Sequence, residues 1–205
     1  LFLEKNASID LLDFKNIHIY TESESDKNRF ENVTIVKNLN TIYNKLLNEL
    51  FFHEDQIEFT DDFDYKNGSY ISKYSDIHSS TKIGKNCVIS RGVKIGKNSI
   101  IKNNVVIKNA IISNDVVVSD NSSIGTSGFG FNFNLRGASN LNPQIGIVFV
   151  DQNVYIGSSC TIDRAKLDVT YIGKNSMIDN QVHIGHNVIL GDNACIAAQT
   201  GISGS

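Results

Sequence analysis

Aliphatic residues return every six positions along most of this chain. Isoleucine stands at Ile71, Ile77, Ile83, Ile89, Ile95, Ile101 and Ile107. After a slip of one residue the frame resumes at Ile112, Val118 and Ile124, and it returns at Val150, Ile156 and Ile162. Past a second break it runs through Ile172, Ile178, Ile184, Leu190, Ile196 and Ile202. A period of six matches neither the 3.6-residue helix nor simple strand alternation. It fits a short strand and a tight turn wound as a parallel β-helix, each aliphatic residue pointing into the coil. With three hexapeptides per triangular coil, these positions make about six coils. Gly follows the aliphatic residue at Gly84, Gly96, Gly157, Gly173 and Gly185, and Asn stands three after it at Asn86, Asn98, Asn175, Asn187 and Asn193. Both residue types tolerate positive φ, so both are expected at the corners. A chain with 15 Gly and a single Pro turns its corners with glycine.

Residues 1–70 lack the period and read as a separate small α/β unit ahead of the coils at 71–205. In NLNTIYNKLLNEL, Leu39, Ile42, Tyr43, Leu46, Leu47 and Leu50 fall on one helical face, with Asn38 or Asn40 as N-cap. IHIY (17–20) and VTIV (33–36) read as strands, and 61–69 as a linker. A net charge of −3 gives no sign of nucleic-acid binding. No apolar run reaches the ~20 residues of a membrane helix. Three dispersed cysteines, Cys87, Cys160 and Cys195, fit a reduced, cytoplasmic setting better than a disulfide framework. The first residue is Leu, not Met, so the natural N-terminus is expected further upstream.

The repeat is interrupted twice. The first break, Gly125 to Phe149, carries Phe129 and Phe131 in a GFGF run and reads as a binding loop on a rigid scaffold in preference to a loop that covers the apolar edge of its own coil. The second, DRAKLDVT (163–170), carries Asp163, Arg164 and Lys166 and reads either as a solvated corner or as a subunit or ligand contact.

The closing segment, IDNQVHIGHNVILGDNACIAAQTGISGS, holds His183 and His186 three residues apart. On spacing alone His186 is a solvated corner residue. A His-x-x-His metal site lacks both a helical setting and a third ligand, so no metal is expected.

Taken together, GFGF (128–131), PQIG (143–146), IGSSCTIDRAKLDVTYIG (156–173) and IDNQVHIGHNVILGDN (178–193) resemble the left-handed β-helix acyltransferases. Within them the chain is most similar to the UDP-3-O-acylglucosamine N-acyltransferases of lipid A biosynthesis. The resemblance implies a left-handed parallel β-helix, homotrimeric, with active sites between neighbouring helices. It implies transfer of a 3-hydroxyacyl chain from acyl carrier protein to the amine of a UDP-sugar, with no tightly bound cofactor: the donor rides on the carrier's phosphopantetheine. His186 maps onto the general base, Asp179 onto the carboxylate that orients it, and the Gly204 amide onto the oxyanion donor. Asn180 maps onto a polar residue of the acceptor site; His183, Phe129 and Phe131 are further candidates for substrate contact. Residues 1–70 resemble the later part of the family's uridine-binding domain. The uracil-stacking aromatics are expected before Leu1, and the coils and helices that set acyl length and dock the carrier after Ser205. An acetyl-CoA-dependent sugar N-acetyltransferase and a non-enzymatic scaffold are the alternatives.

Overall fold

The computed structural model describes residues 2–3, 19–24, 32–51, 61–133 and 139–204. The chain divides into two units between Phe52 and His53. In the first, Phe2–Leu3, Ile19–Thr21 and Val33–Ile35 form a three-stranded parallel sheet, followed by the helix Leu39–Phe51. The Asn38 side chain caps that helix by accepting the Thr41 amide at 2.8 Å, and Glu22 accepts the Leu39 amide at 2.7 Å. Leu39 and Leu47 are buried on its apolar face. Residues 17–18 and the side chain of Leu50 lie outside the described residues.

The second unit is a parallel β-helix with three faces. Its first face stacks Lys82–Ile83, Ile100–Ile101, Val117–Val118, Tyr155–Ile156, Met177–Ile178 and Cys195–Ile196. The second stacks Ser69–Ser72, Val88–Ile89, Val106–Ile107, Ser123–Thr126, Thr161–Asp163, His183–Ile184 and Gly201–Ile202. The third stacks Asp76–Ile77, Lys94–Ile95, Ala110–Ile112, Ile147–Val150, Val169–Ile172 and Ile189–Leu190. The six-residue frame becomes three columns in register, for example Ile89, Ile107, Ile124, Ile162 and Ile184 on the second face. All five are fully buried, and burying each contributes about 1.5–3 kcal/mol. Segment 61–69 is not a free linker: Phe63–Lys66 forms an antiparallel hairpin with Ser69–Ser72, so the coil unit begins before residue 70. Among the described residues no helix is long and apolar enough to cross a membrane.

Through the middle coils a second buried position lies two residues before the column residue and takes small side chains: Cys87, Val93, Val105, Cys160 and Val182. Where serine stands there, its hydroxyl is satisfied between coils. Ser122 donates to the Gly157 carbonyl at 2.8 Å and accepts the Cys160 amide at 3.1 Å.

The corners divide labour differently from the sequence expectation. Asn86, Asn98, Asn175, Asn187 and Asn193 all take positive φ. Gly84, Gly96, Gly157, Gly173 and Gly185 do not; they are needed for space. A Cβ on Gly157 would lie 2.6 Å from the Asp179 carbonyl carbon and 2.7 Å from the Asn180 nitrogen, backbone of the next coil.

Every irregularity of the β-helix leaves from one corner, between the second and third faces. There, in successive coils, lie Asn109 at the one-residue slip, the first break after Ser123–Thr126, the second break after Thr161–Asp163, then His186 and Gly204.

Candidate active site

The second-to-third corner brings Gly128, Gln144, Asp163, His186 and Gly204 together. The first break folds back on this corner: Gln144, buried, accepts the Gly128 amide through Oε1 at 2.7 Å. A Cβ built on Gly128 would lie 2.9 Å from Asp163 Oδ2, 3.1 Å from Gln144 Oε1 and 3.2 Å from His186 Cδ2. One built on Gly204 would lie 2.7 Å from His186 Cδ2. Glycine at both positions therefore gives the imidazole its place. Beyond Gly128 the loop turns outward, with Phe129 83% and Phe131 36% exposed and their ring centroids 4.7 Å apart.

The second break is built as the seat of this site. Asp163 and Arg164 are both buried, so the start of the break is not a solvated corner, whereas Leu167 and Asp168 further along it are exposed. Arg164 donates Nε–H to the Gly146 carbonyl at 2.7 Å, and its amide bonds the Thr126 carbonyl at 2.8 Å. Asn187 ties the break to the histidine. Its Oδ1 accepts the Lys166 amide at 2.9 Å, and its Nδ2 donates to the Leu167 carbonyl at 2.8 Å. Those bonds fix which end of the side chain is oxygen, and that oxygen faces His186 Nδ1 at 3.2 Å. Nδ1 must therefore carry the proton, which leaves the Nε2 lone pair of the neutral ring free to accept one.

His183 lies one coil level with Thr161 on the second face, its Nδ1 2.8 Å from Thr161 Oγ1 and its Nε2 3.7 Å from Asp163 Oδ2. Burial pushes the Asp163 carboxyl above the ordinary carboxylate range, against the pull of His183, His186 and the Thr126 hydroxyl. Asp163 is thus the carboxylate in the field of both histidines.

Asp179 and Asn180 sit elsewhere, at the corner between the first and second faces, with the whole His183–Ile184 face between them and His186. Asp179 Oδ1 accepts the Asn180 amide at 2.7 Å, and Asn180 Oδ1 accepts the Ser158 amide at 2.8 Å. Asn103, Asn114 and Asp192 make the same bond to the preceding coil, so Asn180 is here a rung of the corner ladder. The signal that points to Asp163 is positional: it opens an insertion at the corner His186 occupies one coil later. Among the described residues no three His, Cys, Asp or Glu side chains are grouped to hold a metal ion.

A β-helix of hexapeptides with a histidine at an interrupted corner defines a class. Residues 74–109 and 170–204 match the family described as bacterial transferase hexapeptide (six repeats). It is 49% identical over 87 residues to a UDP-3-O-acylglucosamine N-acyltransferase of Geobacter sp. (strain M21), covering 42% of this chain and 25% of that one. To the enzyme of the same name from Caulobacter vibrioides (strain NA1000 / CB15N) it is 42% identical over 102 residues, 50% of this chain and 30% of that one. The matches thus span about a quarter to a third of these relatives' length. Among solved structures, a UDP-N-acetylglucosamine acyltransferase of Francisella novicida aligns with TM-score 0.55 at 27% identity, over 62% of this chain and 45% of that one.

Proposed function

We propose that the chain carries the catalytic edge of an N-acyltransferase that moves a 3-hydroxyacyl group from the thioester of acyl carrier protein to the 2-amino group of UDP-3-O-acylglucosamine. The observation that carries this reading is the pairing, on one edge, of a histidine whose Nε2 is free to accept a proton with the Gly204 backbone packed against its ring. Amide formation asks for those two groups. The amine nitrogen attacks the thioester carbon while His186 Nε2 takes its proton. The carbonyl oxygen, anionic in the tetrahedral intermediate, is met by the Gly204 N–H. The C–S bond then breaks, and the sulfur leaves with the electron pair and receives the proton from His186. Asp179, one corner away, takes no step within a single chain. The relatives' printed activity supports the choice of amine acceptor and UDP-sugar.

The working assembly is a cytoplasmic homotrimer. Its support is an outward apolar column on the first face, running through Ile100, Tyr155 and Met177, the last 61% exposed, together with three free cysteines. Transfer from 3-hydroxyacyl carrier protein to UDP-3-O-acylglucosamine tests the reading. His186→Ala is expected to lower turnover by about 10²–10⁴-fold, the usual worth of a general base, with the melting temperature little changed. His183→Ala is expected to be milder. Near-normal turnover in His186→Ala removes the base; a wild type that uses only acetyl-CoA replaces the donor.

A further inference from the structure

The Asp163 carboxylate is buried at the site without a close partner. Its residue is 7% exposed, yet Thr126 Oγ1 stands 3.5 Å from Oδ1 and His183 Nε2 stands 3.7 Å from Oδ2. The first is a long hydrogen bond and the second lies beyond one. A largely buried carboxylate with no close protein donor gains from a donor or cation that reaches it. The direction it faces is known from Gly128. The Gly128 α-carbon packs against all three groups: a Cβ on it would lie 2.9 Å from Asp163 Oδ2, 3.1 Å from Gln144 Oε1 and 3.2 Å from the Cδ2 edge of His186. Two oxygen acceptors thus flank the edge of the ring whose Nε2 holds the free lone pair.

We propose that Asp163 recognises the nitrogen of the acyl acceptor, so that this site selects an amine over a hydroxyl. The proposal rests on the acyl-transfer reading above and names the acceptor chemistry that the edge enforces. A neutral amine has two N–H hydrogens and a lone pair. One hydrogen points to His186 Nε2 and leaves as the nitrogen attacks; the other donates to Asp163 and stays in the amide product. A hydroxyl has one hydrogen. If it is given to His186, the acceptor oxygen turns its lone pairs towards the carboxylate and Asp163 remains unsatisfied. If it is given to Asp163, the base has no proton to take. An acceptor that arrives as an ammonium is also attracted by the carboxylate and sheds its extra proton to water before attack. Burial raises the carboxyl's pKa and the two histidines lower it; an N–H donor at Oδ2 adds to the second effect. Asp163 accepts hydrogen bonds throughout and exchanges no proton with substrate.

The test compares two acceptors that differ in one atom, UDP-3-O-acylglucosamine and UDP-3-O-acylglucose, in wild type and Asp163→Asn, with acyl carrier protein as donor. Loss of a charge-assisted hydrogen bond is expected to lower kcat/KM for the amine acceptor roughly 10- to 100-fold. Transfer to the hydroxyl acceptor should change by no more than about twofold, so the preference collapses. An equal fall for both acceptors, or an unchanged rate for the amine, overturns the proposal while leaving the acyl-transfer reading standing. Calorimetric binding of the two acceptors separates the opposite case. If wild type transfers to neither but binds the amine more tightly, and Asp163→Asn erases the difference, recognition by Asp163 stands and the reaction assignment falls. Equal binding of both acceptors by wild type overturns it. If Asp163→Asn does not fold, Asp163→Ser carries the same comparison.

Discussion

Asn187→Gly separates two jobs that one side chain performs. Asn187 lies at φ +62°, where glycine enters without strain, so the substitution removes the side chain and leaves the backbone alone. Two of its hydrogen bonds, from the Lys166 amide and to the Leu167 carbonyl, hold the second break. At about 1 kcal/mol each their loss costs about 2 kcal/mol, or roughly 4–8 °C in melting temperature for a chain of this size. The third, from His186 Nδ1 at 3.2 Å, fixes the tautomer. Without it part of the enzyme carries its imidazole proton on Nε2 and cannot act as base. A bond of about 1 kcal/mol shifts the tautomer equilibrium about fivefold, so kcat should fall by roughly two- to fivefold. KM for the acceptor should barely move, because Asn187 faces the second break and not the acceptor. Initial rates at saturating acceptor, measured beside a thermal melt, give both numbers. A melt that falls as expected with kcat unchanged would show that Asn187 only staples the break, and the tautomer argument would be wrong.

Two further outcomes bear on the scaffold and on the buried carboxylate. Gly157→Ala should destabilise the β-helix by about 1–3 kcal/mol in denaturant unfolding, because its Cβ meets backbone at 2.6 Å; no change would mean the coils can part. Asp163→Asn should melt higher than wild type at pH 7, with the gain vanishing near pH 3. The sign follows from the raised pKa: the folded state holds this proton more tightly than the unfolded chain. Stability from this group is therefore present below the unfolded value of about 3.9 and lost as pH rises through the folded one. A melting difference that grows towards acid pH contradicts the burial of the charge.

The coil was legible because its cause is local and repeated. One aliphatic residue every six positions can face inward in only one way, and the three columns contain all the in-frame residues. The Asn38 cap was legible for the same reason, since it depends on the helix that follows it. The reason for the corner glycines was not, because the atoms that exclude a Cβ from Gly157 belong to Asp179 and Asn180, a full coil away. Asp163 was hidden by the same distance. Proximity to His186 along the sequence favours Asp179, seven residues away, over Asp163, at twenty-three. In a solenoid, however, neighbours are residues one coil apart at the same corner, and a face separates residues seven apart. Asn180 was obscured by its residue type, because a corner asparagine that bonds the preceding coil reads in sequence like one that faces substrate.

Along the edge of the β-helix, chemistry is written vertically. Gly128, Asp163, His186 and Gly204 come from four successive coils, and stacked strands are about 4.8 Å apart. Each group therefore holds a fixed height, and the height depends only on how many coils lie between. Adding one whole coil of about 18 residues between Asp163 and His186 would restore every inward column and every corner ladder. It would also move the base by one storey relative to the carboxylate, further than a hydrogen bond can follow. Such a variant should fold as well as its parent and lose the reaction, whereas coils added below or above this block leave the heights within it unchanged.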